Sequence, residues 1–182
     1  MTTKPARDRV ALVTGASSGL GRAFARALLE DGHPVVAAAR RVERMTDLAA
    51  AGALVLPMDI TRDDEVRAVA ERVMQDHGAV DILVNNAGFG LYGAMEDVPL
   101  DAARYQFEVN LFGLARLTQL LLPGMRARGG GRIVNLSSMG GASTSRSAAG
   151  ATRPSTPSRA GPTACGSSWR RSGSMSSSSS RA

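Results

Sequence analysis

The feature that most constrains this chain is a junction near its start. Four apolar residues, Val10-Ala11-Leu12-Val13, run straight into Thr14-Gly15-Ala16-Ser17-Ser18-Gly19-Leu20-Gly21, and a helical pattern follows. A short apolar run bounded by a turn reads as a buried strand. From Arg22 to Leu29 the apolar residues Ala23, Phe24, Ala27 and Leu28 recur at helical spacing, and Asp31-Gly32 stops the helix. Glycines let backbone approach a pyrophosphate closely, and the N–H groups and dipole of the following helix favour its charge. The same residues without a ligand would be only a tight turn. The strand before, the helix after and the G-x-x-x-G-x-G spacing favour a nucleotide site built from Gly15, Ser17, Ser18, Gly19, Leu20 and Gly21.

The alternation continues along the chain. Residues 34–39 form a second apolar run, 53–57 a third, Ile82-Leu83-Val84 a fourth and 132–136 a fifth. Between them lie a helix through about Asp76, expected to be capped by Thr61, and a long helix around Leu111 to Met125. Strands alternating with helices predict an α/β fold, a doubly wound parallel sheet of strands 1–5. Ligands of such sheets bind in the crevice beyond the strand C-termini.

The second strand ends in Ala39-Arg40-Arg41 with no acid. At that place an acid would bond a ribose 2′-hydroxyl, whereas Arg accommodates a 2′-phosphate through charge-assisted hydrogen bonds. Arg40 therefore favours NADP as cofactor over NAD, which stays possible. Arg41 fits a solvated position nearly as well.

Charge divides the chain. The net charge of +6 would suggest a nucleic-acid or anionic partner. Yet the 41 residues from Ala142 to Ala182 hold six Arg, 14 Ser, no acid and no Val, Ile, Leu, Phe or Tyr. Taking those six from the 22 basic residues leaves 16 against 16 acids in residues 1–141, so the part that can build a core is neutral. Nucleic acid is not expected as a partner. No apolar run approaches the roughly 20 residues of a membrane span. The first ten residues, MTTKPARDRV, lack a leader's apolar stretch, and with one Cys in the chain the expected location is cytoplasmic. His33 and His77 have no partner spacing for a metal and are expected at the surface.

TGASSGLG, Asp59-Ile60, Asn85-Asn86-Ala87-Gly88, Val109-Asn110 and IVNLSS occur in order at suitable separations. Together they resemble the short-chain dehydrogenase/reductase family, continuously from residue 8 to about 141. The resemblance implies a Rossmann-like NAD(P)-binding domain over 1–141 and hydride transfer between NADP(H) and a small carbonyl or alcohol substrate. It implies that Asp59, with Ile60, contacts the adenine and that Asn86, Ala87 and Gly88 line the adenosine ribose side. Ser138 and Asn110 would be two of a catalytic Asn-Ser-Tyr-Lys set, Ser138 holding the substrate oxygen and Asn110 helping to fix a water. The resemblance places the Tyr at Ala151 and the Lys at Ser155, and neither residue can carry that proton transfer. The chain is thus expected to be impaired as an oxidoreductase, or to be a non-catalytic dinucleotide-binding fragment. The resemblance implies a homo-oligomer, typical of the family, but leaves the state of this chain open, since one of the dimer helices falls in the altered tail.

The tail at 142–182 permits two readings. One is an irregular or disordered low-complexity Ser/Arg/Gly segment. The other is an out-of-frame segment, in which one base lost near Gly141-Ala142 turns each intended codon NTC (Phe, Leu, Ile or Val) into a Ser codon TCN. Read back by one base, Ser172 to Ala182 permits FGIDVVVVEPG, which resembles the family's sixth strand. Ser155 permits Lys, whereas Ala151 does not permit Tyr. The frameshift reading is preferred because it explains why every large aliphatic residue vanishes at once.

Overall fold

The computed structural model describes residues 8–94 and 96–138. Five parallel strands form one sheet: β1 (Ala11–Thr14), β2 (Val35–Ala39), β3 (Leu54–Pro57), β4 (Ile82–Asn85) and β5 (Arg132–Asn135), in the order β3-β2-β1-β4-β5. Leu12 registers with Val36 on one side and with Leu83 on the other, and Val84 registers with Val134. The chain builds outward from β1 in one direction through β3, then returns to lay β4 on the opposite side. That reversal opens a crevice at the C-terminal ends of β1 and β4.

Successive residues of a strand face opposite sides of the sheet, and the two sides are filled differently. Leu12, Val36 and Leu83 pack with Val66 and Val73 of α3 (Asp63–His77) and with Leu117 and Leu121 of α5 (Gly113–Ala127). On the other side Ala11, Ala37 and Ala39 meet Ala25 of α1 (Gly19–Glu30) and Leu48 of α2 (Thr46–Ala50). Alanines on both surfaces let α1 lie close to β1 and β2. Full burial of each Leu and Val stabilises the fold by about 1.5–3 kcal/mol before chain entropy is counted. α3 buries Val66, Val69, Ala70 and Val73, the spacing of one helical face, and ends at Gly78 with φ +75°.

Three expectations need correction. Thr61 does not cap α3. Its N–H and hydroxyl both donate to Asp59 Oδ1, at 3.0 and 2.8 Å, and the helix begins after Arg62 with Asp63, Asp64 and Glu65 in its first turn. α1 starts at Gly19, three residues early, because the glycine turn itself enters the first helical turn. The helix expected around 111–125 is the last part of a longer rod. α4 (Leu100–Phe107) passes through a π turn at Glu108–Phe112 into α5. The Gly113 N–H there bonds Glu108 O, five residues back. His33 and His77 keep partial solvent exposure, as expected, His33 with Nδ1 3.0 Å from Arg9 O.

Among the described residues β5 pairs only with β4, and Val134 on its α1-side face is 37% exposed. The expectations for 142–182 lie outside the described residues. No described helix is long and apolar enough to cross a membrane.

Candidate functional site

The crevice is a cleft of about 350 Å³. Every residue that the sequence assigns to a cofactor lines it, apart from Gly21. Three elements converge there: the turn from β1 into α1, the end of β2 with the start of the loop after β3, and the loop leaving β4.

Gly15 and Gly21 hold the first and third of these together. Gly15 has φ +65°, and a Cβ on it would lie 2.9 Å from the Ala87 Cα. A Cβ on Gly21 would sit 2.5 Å from Gly15 O. Neither position tolerates a side chain, so Gly21 shapes the cleft from behind it. Gly19 differs: at φ +56° it has nothing within 4 Å of its missing Cβ. Its α-carbon faces open space at the head of α1. Ser18 at the N-cap makes no side-chain cap bond, and the first turn holds no acid. The leading N–H groups of α1 are therefore available to an anion, whose charge the helix dipole favours. Ser17 is 5% exposed beneath the turn, and Leu20 is 63% exposed at its lip.

Thr14 fixes the loop after β4. Its hydroxyl accepts from the Asn86 and Ala87 N–H groups, each at 3.0 Å, and donates to Val84 O at 3.3 Å. The Asn86 side chain returns the contact, its Nδ2 donating to Thr14 O at 2.9 Å and Gly15 O at 3.3 Å. Asn86 is thereby committed to the protein, and its neighbours Ala87 and Gly88 present backbone to the cleft.

At the other end, Asp59 Oδ1 is taken up by Thr61, while Oδ2 stands 4.0 Å from Arg40 Nη1. The Asp59 N–H donates to Glu65 Oε2 at 2.7 Å, tying the loop after β3 to α3. Ile60 is 5% exposed. Arg40 is 63% exposed at the rim and Arg41 approaches Ser18 Oγ at 3.5 Å.

Asn110 lies in the π turn. Its Oδ1 accepts from the Phe89 N–H at 3.0 Å and its Nδ2 donates to Phe89 O at 2.8 Å, so the amide is spent on the loop after β4. Ser138 is exposed three residues beyond β5, at the same C-terminal end of the sheet. Among the described residues no group of three or more His, Cys, Asp or Glu could hold a metal ion.

Arg41, which the sequence left between the cleft and solvent, lines the cleft, and so do Ala39, Met58, Phe89 and Val109, which no motif assigns to it. Thr14 was read only as part of the glycine motif. Its place at the end of an apolar strand, where a hydroxyl must be buried, was the signal for its role.

A five-stranded parallel sheet with its glycine turn and uncapped helix at the switch point defines the Rossmann class of doubly wound folds. The comparison with known proteins is narrower: the short chain dehydrogenase family model matches residues 9–151, and the chain belongs to that family. The 3-ketodihydrosphingosine reductase of Bacteroides thetaiotaomicron is 36% identical over 135 residues, which is 74% of this chain and 49% of that protein. The crystal structure of a short-chain dehydrogenase from Streptomyces avermitilis superposes with a TM-score of 0.73 at 46% identity, over 75% of this chain and 52% of that one. The L-sorbose reductase of Gluconobacter frateurii, solved with NADPH and L-sorbose, gives 0.65 at 38% identity over 69% and 51%. The chain spans about half the length of each of these relatives.

Proposed function

We propose that residues 1–141 are the cofactor-binding domain of a cytoplasmic, NADP(H)-preferring short-chain oxidoreductase acting on a small carbonyl or alcohol, and that this chain binds the dinucleotide without turning substrate over. The observation that carries the reading is the cleft itself. It joins an open Gly19 and an uncapped helix N-terminus at one end to an acid-free β2 terminus bearing Arg40 at the other. The first suits a diphosphate and the second a 2′-phosphate. That the Gluconobacter relative was solved with NADPH supports the same preference.

In this reading Gly15, Ser17, Ser18, Gly19, Leu20 and Gly21 form the diphosphate cradle, and Arg40 holds the 2′-phosphate. Asp59 Oδ2 and Ile60 meet the adenine, and Asn86, Ala87 and Gly88 back the ribose. A bound nicotinamide supplies the hydride chemistry, and the protein supplies orientation and proton transfer. Ser138 is the group that holds a substrate oxygen. Asn110 acts through the loop and π turn that its amide fixes. The proton-transfer pair is missing, because Ala151 and Ser155 stand where the family pattern puts Tyr and Lys. Loss of an acid/base costs about 10²–10⁴-fold by itself. We take 142–182 to be out of frame, and the nucleotide sequence across those codons tests this: the alternate frame is expected to continue the family pattern, and its failure to do so ends the idea.

Titration of the full chain with NADPH, followed by cofactor fluorescence, tests the main reading. Wild type is expected to bind and Gly19→Asp, which puts a carboxylate into the cradle, is not. Folded protein with no affinity for NADPH or NADH would refute the assignment. NADPH-dependent reduction of carbonyls by this chain would refute its inactivity.

A further inference from the structure

The rim of the cleft carries a connection that the cofactor reading leaves unexplained. Arg40 Nη1, at the end of β2, donates to the hydroxyl of Tyr105 on α4 at 3.1 Å, across 65 positions of sequence. The Tyr105 ring lies against Phe89, centroids 5.7 Å apart and tilted by 40°. Phe89 is held in turn by the Asn110 amide and by Gln106 Nε2, which donates to its carbonyl at 3.3 Å. Arg40 is thus anchored, through Tyr105, to the same loop that backs the cleft.

We propose that Tyr105 is a positioning residue that keeps the Arg40 guanidinium free for a 2′-phosphate and so sets the preference between phosphorylated and unphosphorylated dinucleotide. The inference rests on the NADP reading above and deepens it. Two acceptors compete for Arg40. Asp59 Oδ2 is 4.0 Å from Nη1, near enough to draw the guanidinium into a close ion pair that would cancel its charge. The Tyr105 hydroxyl is a neutral acceptor. It takes one N–H and leaves the positive charge and the remaining donors for an incoming phosphate. Holding a long, rotamer-rich side chain before the ligand arrives also removes part of the entropy cost of binding. Thr61 restrains Asp59 from its other oxygen, so the competing carboxylate is kept back while the tyrosine holds the arginine.

Tyr105→Phe keeps the ring against Phe89 and removes only the hydroxyl. Dissociation constants for NADPH and for NADH are measured with the full chain, for wild type, Tyr105→Phe, Arg40→Leu and the double variant. The loss of one net hydrogen bond predicts that Tyr105→Phe weakens NADPH about three- to tenfold, leaves NADH within about twofold, and has no further effect once Arg40 is Leu. Equal loss for both cofactors would mean that the hydroxyl supports the cleft as a whole, and no loss for either that it contributes nothing to binding; either result would overturn the proposal. If Arg40→Leu abolishes the NADPH preference while Tyr105→Phe leaves it intact, this inference falls and the NADP reading stands. If Arg40→Leu leaves the NADPH to NADH ratio unchanged, both fall.

Discussion

Replacing Thr14 with Val tests how the cleft is built, because the two side chains are nearly the same shape and differ in the hydroxyl. Thr14 is 1% exposed, and that oxygen serves the N–H groups of Asn86 and Ala87 and the carbonyl of Val84. Valine leaves two donors and one acceptor without this partner in a space that it fills. A buried group left unsatisfied costs about 1–3 kcal/mol. Asn86 and Ala87 are only half-buried, so solvent recovers part of that, and the sum falls at about 2–4 kcal/mol. Urea unfolding of a small domain has a slope of about 2 kcal/mol/M, which turns that loss into a midpoint shift of about 1–2 M. Thr14→Ser keeps the oxygen and loses a methyl, at a cost of about 1 kcal/mol. The ranking wild type, Ser, Val is therefore expected in the midpoints, with NADPH affinity retained in Ser and reduced in Val. A Thr14→Val midpoint indistinguishable from wild type would show that the loop after β4 is held by its own backbone and that the threonine bonds contribute nothing net.

The sequence made the sheet legible because its signals are local. Apolar runs of three to six residues define β1 to β5 to within a residue, and the glycine spacing marks the cleft from the sequence alone. What escaped was set by contacts distant in the chain. Thr61 has the chemistry of a helix cap, but Asp59 two residues earlier competes for its N–H and hydroxyl and takes both. The π turn depends on Gly113 pressing on Ile60, whose Cγ1 would lie 2.7 Å from any Cβ there, and no periodicity of residues 100–125 contains that fact. α2 buries Leu48, with Met45 buried just before it, too few apolar residues to register as a pattern. The Arg40–Tyr105 bond joins a residue that the end of β2 marks as a phosphate ligand to one, 65 positions later, that no motif singles out.

Two further perturbations follow from charge and from backbone approach. Asp47 on α2 receives both arms of Arg22, at 2.6 and 3.1 Å, and Arg26 at 2.6 Å. The Arg22 hydrogen bond foremost, and then that of Arg26, holds its carboxyl below the ordinary value of 3.8, against an opposing contribution from desolvation. A carboxyl depressed in the folded state stabilises above its unfolded value and loses that contribution as pH falls through the folded one. Asp47→Asn is therefore expected to lower the thermal midpoint at pH 6, with the difference from wild type shrinking below about pH 4 and in high salt. A difference independent of pH would refute the pairing as its source. Gly113→Ala perturbs the π turn. The added methyl would meet Ile60 Cγ1 at 2.7 Å and Glu108 O at 3.1 Å, with the Ile60 carbonyl nearer still. Overpacking against fixed backbone costs about 1–3 kcal/mol, and the contact with a carbonyl sets this case toward the upper end. Relief requires α5 to move away from the loop after β3, or the turn to tighten to an α-helix and rotate Asn110 off Phe89. Either movement displaces a wall of the cleft, since Ile60 and Val109 both line it. Loss of stability by urea titration should therefore be accompanied by weaker binding of NADPH and NADH alike, unlike the selective effect of Tyr105→Phe. Normal stability with normal binding in Gly113→Ala would mean that the π turn does not need glycine, and that Asn110 is aimed by something other than the approach of α5 to Ile60.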